Sequence, residues 1–273
     1  MERLVEHLVP DGLWELFRRV VPPTVVQRPQ GGGRRRAGDR EVLAAIVFVA
    51  TSGCTWRQLP PVFGARWQTV YRRFAQWSRD RVWARLHRVV LDELGAQGEL
   101  DWSRCAIDSV NIRAVKGGPL TGPNPTDRGK NGSKIHLICD RNGLPISVAV
   151  SGANLHDSQA LKPLVMGIPP IRPRRGPRRR RPAKLHGDKG YDYDHLRTWL
   201  RERGIVPRIA RRGVESSARL GRHRWVIERT MSWLSGCRRL HRRYERKHEH
   251  FIGFTGIAVM LICLRRLGVS AGR

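Results

Sequence analysis

The sequence predicts an α/β protein: a mixed five-stranded sheet flanked by helices, preceded by a small all-α unit with helix-turn-helix character. Three observations lead there. Apolar residues recur at helical spacing up to residue 97, the period then shortens to that of strands, and beyond residue 152 helical and strand-like stretches alternate. Residues 1–97 are therefore expected to form a helical unit and residues 98–273 a sheet-bearing unit, with basic loops at 113–133 and 168–184.

In the first unit, "REVLAAIVFVATSG" reads as a strongly apolar helix closed by Gly53, and Thr55 with Gln58 three residues later has the arrangement of a capping box. In "WQTVYRRFAQW", Val70, Phe74 and Trp77 form an apolar stripe, which leaves Gln68, Thr69, Arg72 and Arg73 outward as candidate DNA-reading side chains. Any small helical bundle would show a similar pattern. The Gly- and Arg-rich stretch 28–40 reads as a solvated linker or a DNA contact.

After Gly98, "SRCAIDSVNIRAV", "SKIHLICD" and "LPISVAVSG" are short runs rich in β-branched residues, broken by turn formers such as "DRNG", which predicts three antiparallel strands. Lys134 and His136 open the second of these and are expected to face solvent. "HDSQALKPLVMG" reads as a helix capped by Asp157 or Ser158, with His156 and Asp157 as alternative neighbours of a metal site. "AKLHGD" and "IVPRIA" read as strands around the helix "YDHLRTWLRERG", and two long helices follow, roughly 223–240 and 247–267. The loop from Arg113 to Ser133 is long for a compact domain, so it is expected either to line a DNA channel, with Arg113 and Lys116 on phosphates, or to be disordered.

Charge narrows the function. Lys and Arg number 52 against 23 Asp and Glu, a net charge of +29, and so cationic a surface attracts polyanions. Acidic lipid is disfavoured, because the apolar run from Phe251 to Leu264 falls short of the ~20 residues that span a bilayer. "MERLVEHLVP" has acids near its start and is no secretory signal, so a cytoplasmic, nucleoid-associated protein is expected. Five scattered cysteines without a C-x-x-C pair point to reduced, buried thiols.

Against this background a few acids stand out. Asp108 lies in an apolar strand, where a carboxylate is costly to bury unless paired or bound to metal. Asp188 ends the next parallel strand candidate, between Gly187 and Gly190, which would let the backbone turn sharply. Glu228, in "RHRWVIERTMSWL", is either a third ligand or a partner for Arg224 one helical turn earlier. Three carboxylates on separate elements suit Mg²⁺ or Mn²⁺, hard cations that also take phosphate oxygens. Lys189 and Tyr191 would then stand beside the phosphate.

At these residues the sequence resembles the DDE transposases of bacterial insertion sequences, in the insertion sequence 5 branch. The resemblance rests on "AIDSVNIRAVKGG", "SGANLHDSQAL", "LHGDKGYD", "RWVIERTMSWL" and the N-terminal "SGCTWRQLPPVFGARWQTVYRRFAQW", five segments in order over most of residues 40–245. It implies a ribonuclease-H-like catalytic fold, with Asp108, Asp188 and Glu228 as catalytic and metal-binding triad, Mg²⁺ or Mn²⁺ as cofactor, and double-stranded DNA, both element ends and target, as partner. It also implies a homodimer assembled on DNA and no membrane partner. Of the tyrosine, arginine and lysine that accompany the glutamate in related transposases, only Arg224 stands in place; Gly221 and Ser235 occupy the others, so Trp225, Arg229 or Arg238 is a candidate substitute for end contacts. Rival readings are a nuclease that cuts without joining and a non-catalytic DNA-binding protein.

Overall fold

Pro10 separates two short amphipathic helices, α1 (Glu2–Leu8) and α2 (Asp11–Arg18), in a computed structural model that describes residues 2–23, 36–211, 213 and 217–268. Leu13, Leu16 and Phe17 are buried on one face of α2, a helical spacing that the sequence reading passed over. Most of the Gly- and Arg-rich linker lies outside the described residues; at its end Arg36 pairs with Asp39 at 2.8 Å.

Helix α3 (Asp39–Ser52) is apolar all round and ends where Gly53 takes a left-handed φ of 74°. A Cβ at Gly53 would also lie 2.9 Å from the Arg238 side chain, so glycine is required twice over. Thr55 opens only a single 3₁₀ turn, Trp56–Gln58, in which the Gln58 side-chain oxygen accepts from the Thr55 amide at 3.0 Å. Helices α4 (Trp67–Arg79) and α5 (Val82–Gln97) follow; Val70, Phe74 and Trp77 are buried as their spacing predicted.

Six strands form one sheet: β1 (Cys105–Arg113), β2 (Gly122–Pro123), β3 (Asn131–Asp140), β4 (Pro145–Gly152), β5 (Lys184–Gly187) and β6 (Val206–Ile209). β4, β3 and β1 are antiparallel neighbours, whereas β1, β5 and β6 run parallel. The strand beyond the expected five is β2, a two-residue piece hydrogen-bonded to Asn131 and Gly132 at the start of β3. It belongs to the 113–133 loop, which is ordered rather than disordered: Arg243 is 1% exposed and its guanidinium donates to the Pro119 and Leu120 carbonyls and to Ser133 Oγ.

The β3–β4 turn is built by Asp140, whose carboxylate accepts from the backbone amides of Asp101, Asn142 and Leu144. Burial raises its pKa to about 6 despite those donors. Helices α6 (Asp157–Met166), α7 (Asp194–Glu202), α8 (Ser217–Leu234) and α9 (His248–Arg266) complete the chain, with α6, α8 and α9 packed on the sheet. The α6 cap is neither Asp157 nor Ser158: His156 is the N-cap, and its ring nitrogen accepts from the Ser158 amide at 3.3 Å, which leaves Asp157 available elsewhere. The basic connector 168–184 is fixed to α5, where Asp92 accepts from the Arg172 amide and pairs with Arg178 at 2.8 Å.

α9 is buried from Phe251 to Leu264 except at Ile252, and it packs against both α4 and α5 and against β4, so one hydrophobic core runs from Val5 to Leu264. Among the described residues no helix is long and apolar enough to cross a membrane. The five cysteines are free thiols, four of them buried, and burial pushes Cys139 and Cys237 up to about 12.

Candidate active site

Asp108 sits in the middle of β1, where the strand passes from full burial at Cys105–Ile107 to partial exposure. β1 is flanked by β3 on one side and β5 on the other. In the parallel pairing Ala106 lies opposite His186, and the same register carried on by two residues brings Asp108 level with Asp188, just past the end of β5. Level residues on parallel neighbours project from the same face about 5 Å apart. Two half-buried carboxylates are therefore level on two parallel strands, Asp108 in the middle of β1 and Asp188 just past the end of β5.

Local chemistry fixes both. Asp108 Oδ1 accepts from the Ser109 amide at 2.8 Å, and Asp188 Oδ1 accepts from the Gly190 amide at 2.9 Å, capping the 3₁₀ turn Lys189–Tyr191. The adjoining glycines do not supply a left-handed turn, because neither has a positive φ. They allow close approach instead. A Cβ at Gly187 would stand 3.2 Å from Ile107 and from the Tyr191 ring, and one at Gly190 would stand 3.0 Å from Asp188 Oδ1.

Behind Asp108 lies a network that the sequence did not announce. Asp157 Oδ1 accepts from Ser109 Oγ at 2.7 Å and pairs with Lys134 at 3.0 Å. Lys134 and His136, expected to face solvent, are 7% and 1% exposed, because β3 is covered on both faces. Burial lowers the His136 pKa to about 4, so the imidazole is neutral near pH 7. Its Nε2–H donates to Ser151 Oγ at 2.7 Å, since that hydroxyl donates onward to the Gly152 carbonyl. The only sequence signal for this network was polar residues at alternate places in a strand otherwise rich in β-branched residues.

Glu228 is placed differently. Val226, Ile227, Thr230 and Leu234 form the buried stripe of α8, and Thr230 Oγ1 donates to the Gly143 carbonyl at 2.7 Å; Glu228 is on the exposed side. Among the described residues no three His, Cys, Asp or Glu side chains lie close enough together to hold a metal ion. The two aspartates fit a hard divalent cation in donor type. The glutamate in this arrangement does not complete their set.

The candidate DNA-contacting residues lie on separate elements and differ in exposure. Gln68 and Arg72 are exposed on α4, and Thr69 is half-buried. Arg73 is half-buried, 3.6 Å from Asp39 and stacked over Trp77, which ties it to the start of α3. Arg113, Lys116 and Lys189 are exposed. Arg229 lies between the Trp225 and Trp233 rings and donates to the Asn142 carbonyl at 2.6 Å, so it holds α8 to the β3–β4 turn. The Arg224 side chain is outside the described residues. Tyr191 is 1% exposed and cannot reach a phosphate as its sequence position suggested.

Comparison with known proteins gives consistent matches. The family model described as "Transposase DDE domain" matches residues 103–263, and that described as "Putative transposase of IS4/5 family" matches residues 9–87. The chain is 37% identical over 228 residues to the "Putative transposase for insertion sequence element IS402" of Burkholderia cepacia, covering 84% of this chain and 95% of that one. An uncharacterized 16.2 kDa protein of the same insertion element is 37% identical over 123 residues, 45% of this chain and 84% of its own length. Among solved structures, the piggyBac transposase synaptic complex with hairpin DNA aligns with a TM-score of 0.50 at 10% identity, over 99% of this chain and 75% of that one, a likeness of fold.

Proposed function

Because the chain belongs to the DDE transposases of bacterial insertion sequences, we propose that Asp108, Asp188 and Glu228 are the carboxylates with which it cuts and joins DNA. The family decides between the rival readings in favour of a DNA-cleaving, strand-transferring enzyme over a nuclease without joining or a non-catalytic binder. Its members act with divalent metal ions. In this chain the cation is Mg²⁺ or Mn²⁺, and what supports the assignment is the register of β1 and β5, which, carried on by two residues, sets Asp108 within β1 level with Asp188 just past the end of β5. Glu228 enters the assignment through the family resemblance of its segment, while its side chain is on the exposed side of α8.

When bound, such ions activate an attacking oxygen and neutralise the leaving oxygen in an in-line displacement at phosphorus. The residues of this chain do the rest. Asp108 and Asp188 hold the ion on a rigid strand pair, while Asp157 and Lys134 hold Ser109, whose amide anchors Asp108. Arg113, Lys116, Lys189 and Arg224 place the phosphate backbone, and Gln68, Thr69, Arg72 and Arg73 lie on the helix that would read the terminal inverted repeats. Placement and charge stabilisation suffice for this chemistry, so no covalent protein nucleophile is needed. Residues 1–97 act as the DNA-reading unit and residues 98–273 as the catalytic one, in a homodimer on paired ends in the cytoplasm, at the nucleoid.

The test is cleavage and strand transfer on DNA bearing the repeats that flank the coding region. Asp108→Asn, Asp188→Asn and Glu228→Gln are expected to abolish both in Mg²⁺ while leaving DNA binding within about twofold. Cleavage retained by all three variants overturns the assignment.

A further inference from the structure

Where the helical region meets the sheet, a cavity of about 970 Å³ opens between the start of α4, the turn around Trp56 and the strap 239–250 that leads into α9. Four aromatic side chains line it: Trp56, Trp67, Tyr71 and Tyr244. Trp56 is committed to the interior, with its ring 5.2 Å from Phe74 and 6.0 Å from Phe254, and Tyr71 stands edge-on to it at 5.5 Å. Trp67 is half-exposed and Tyr244 is 40% exposed, with the Arg239 guanidinium 5.2 Å from the centroid of the Tyr244 ring, so each keeps ring surface that a ligand in the cavity can touch.

The rim is cationic. Arg57, Lys116, Arg246 and Lys247 line the same cavity and are exposed. Glu245, the one acid in the lining, is 8% exposed and is neutralised by Arg239 at 2.8 Å. The walls are rigid, because Arg239 also donates to the Cys54 carbonyl, and the Val115 amide donates to the Arg243 carbonyl at 2.9 Å. A preformed cavity of this size is within the range that takes small ligands, and its aromatic faces and ring of positive charge match one ligand class.

We propose that this cavity binds an unpaired nucleotide of the DNA on which the enzyme acts, its base stacked on Trp67 and Tyr244 and its phosphates held by Arg57, Lys116, Arg246 and Lys247. A paired base inside a duplex hides its faces, so only a flipped or single-stranded nucleotide presents the surface these rings complement. Lys116 lies near the start of the loop leaving β1, and Ala114 is six positions along the chain from Asp108, roughly 20 Å in an extended strand. One DNA strand can thus engage both places. The inference rests on the reading of the chain as a DNA transposase, and it concerns residues outside the three carboxylates.

Fluorescence anisotropy of the full-length protein at fixed salt tests it, with a blunt duplex, the same duplex carrying a short oligothymidine 3′ tail, and the tail alone. The tail is expected to raise affinity on the order of tenfold, and Trp67→Ala with Tyr244→Ala to remove that gain while leaving duplex affinity unchanged. Tyr244→Phe, which keeps the ring, is expected to retain it, and this variant separates lost stacking from lost folding. Equal affinity of the wild type for tailed and blunt duplex overturns the proposal, as does a gain that survives in the alanine variants or a change in oligomeric state in place of DNA affinity. Failure of the blunt duplex to bind counts against the transposase reading alone, because binding of the tail by itself still reports on the cavity.

Discussion

Ser109 and Lys134 both direct their donors at a single oxygen of Asp157, one residue and one strand away from Asp108. Lys134 is 7% exposed, and a buried ammonium deprived of its counter-charge is costly. Asp157→Asn keeps the shape and removes the charge. It is expected to lower stability by about 1–3 kcal/mol in denaturant titration, and to slow cleavage while DNA affinity holds; unchanged stability and rate would show that the pair contributes nothing. This residue marks a limit of sequence reading. Asp108 and Asp188 stand out in the sequence because acids in apolar or glycine-flanked stretches of so basic a chain need an explanation. Asp157 invited the explanation of a helix cap, since Asp suits that place; the structure gives the cap to His156 because Asp157 is engaged across the sheet. Lys134 and His136 misled for a related reason: polar side chains in a strand suggest a wet face, but each here has a buried polar partner, Leu155 and Asp157 for the lysine and Ser151 for the histidine.

Among the elements, α9 joins the helical and sheet-bearing parts. Its apolar run was legible as a buried helix, yet nothing local in the sequence says that it packs against α4 and α5, far earlier in the chain. The glycines show how close that packing is. A Cβ at Gly253 would stand 2.6 Å from Ser78 Oγ, 3.2 Å from Trp83 and 3.3 Å from Phe74. Ser78 is not free to move aside, because it accepts from the Trp83 indole N–H at 3.0 Å. Alanine is the better helix former by about 1 kcal/mol, but overpacking costs typically 1–3 kcal/mol. Gly253→Ala is therefore expected to lower the melting temperature, as scanning calorimetry would register; a stabilised variant would mean that the helix stands off from Trp83. Helix α8 was legible as an element too, but it spans Ser217–Leu234 and not the expected 223–240, and its buried Val226, Thr230 and Leu234 leave Glu228 on the exposed side.

Over the whole molecule, charge is arranged so that the same surfaces serve folding and DNA. Buried cations have assigned partners, as Arg239 has Glu245 and Arg197 has Asp192 at 2.7 Å, while most of the arginine excess stays at the surface. An exposed cationic surface of this kind attracts DNA without regard to sequence, and a divalent cation between two neighbouring carboxylates would offset their mutual repulsion. The central claim is that Asp108 and Asp188 hold that cation. It is tested most directly by exchanging each carboxylate for a thiolate and measuring DNA cleavage in two metals. Asp108→Cys and Asp188→Cys are expected to lose cleavage in Mg²⁺, which avoids sulfur, and to recover a measurable part of it in Mn²⁺, which tolerates it. Cleavage in Mg²⁺ equal to that of the unaltered protein would contradict the account.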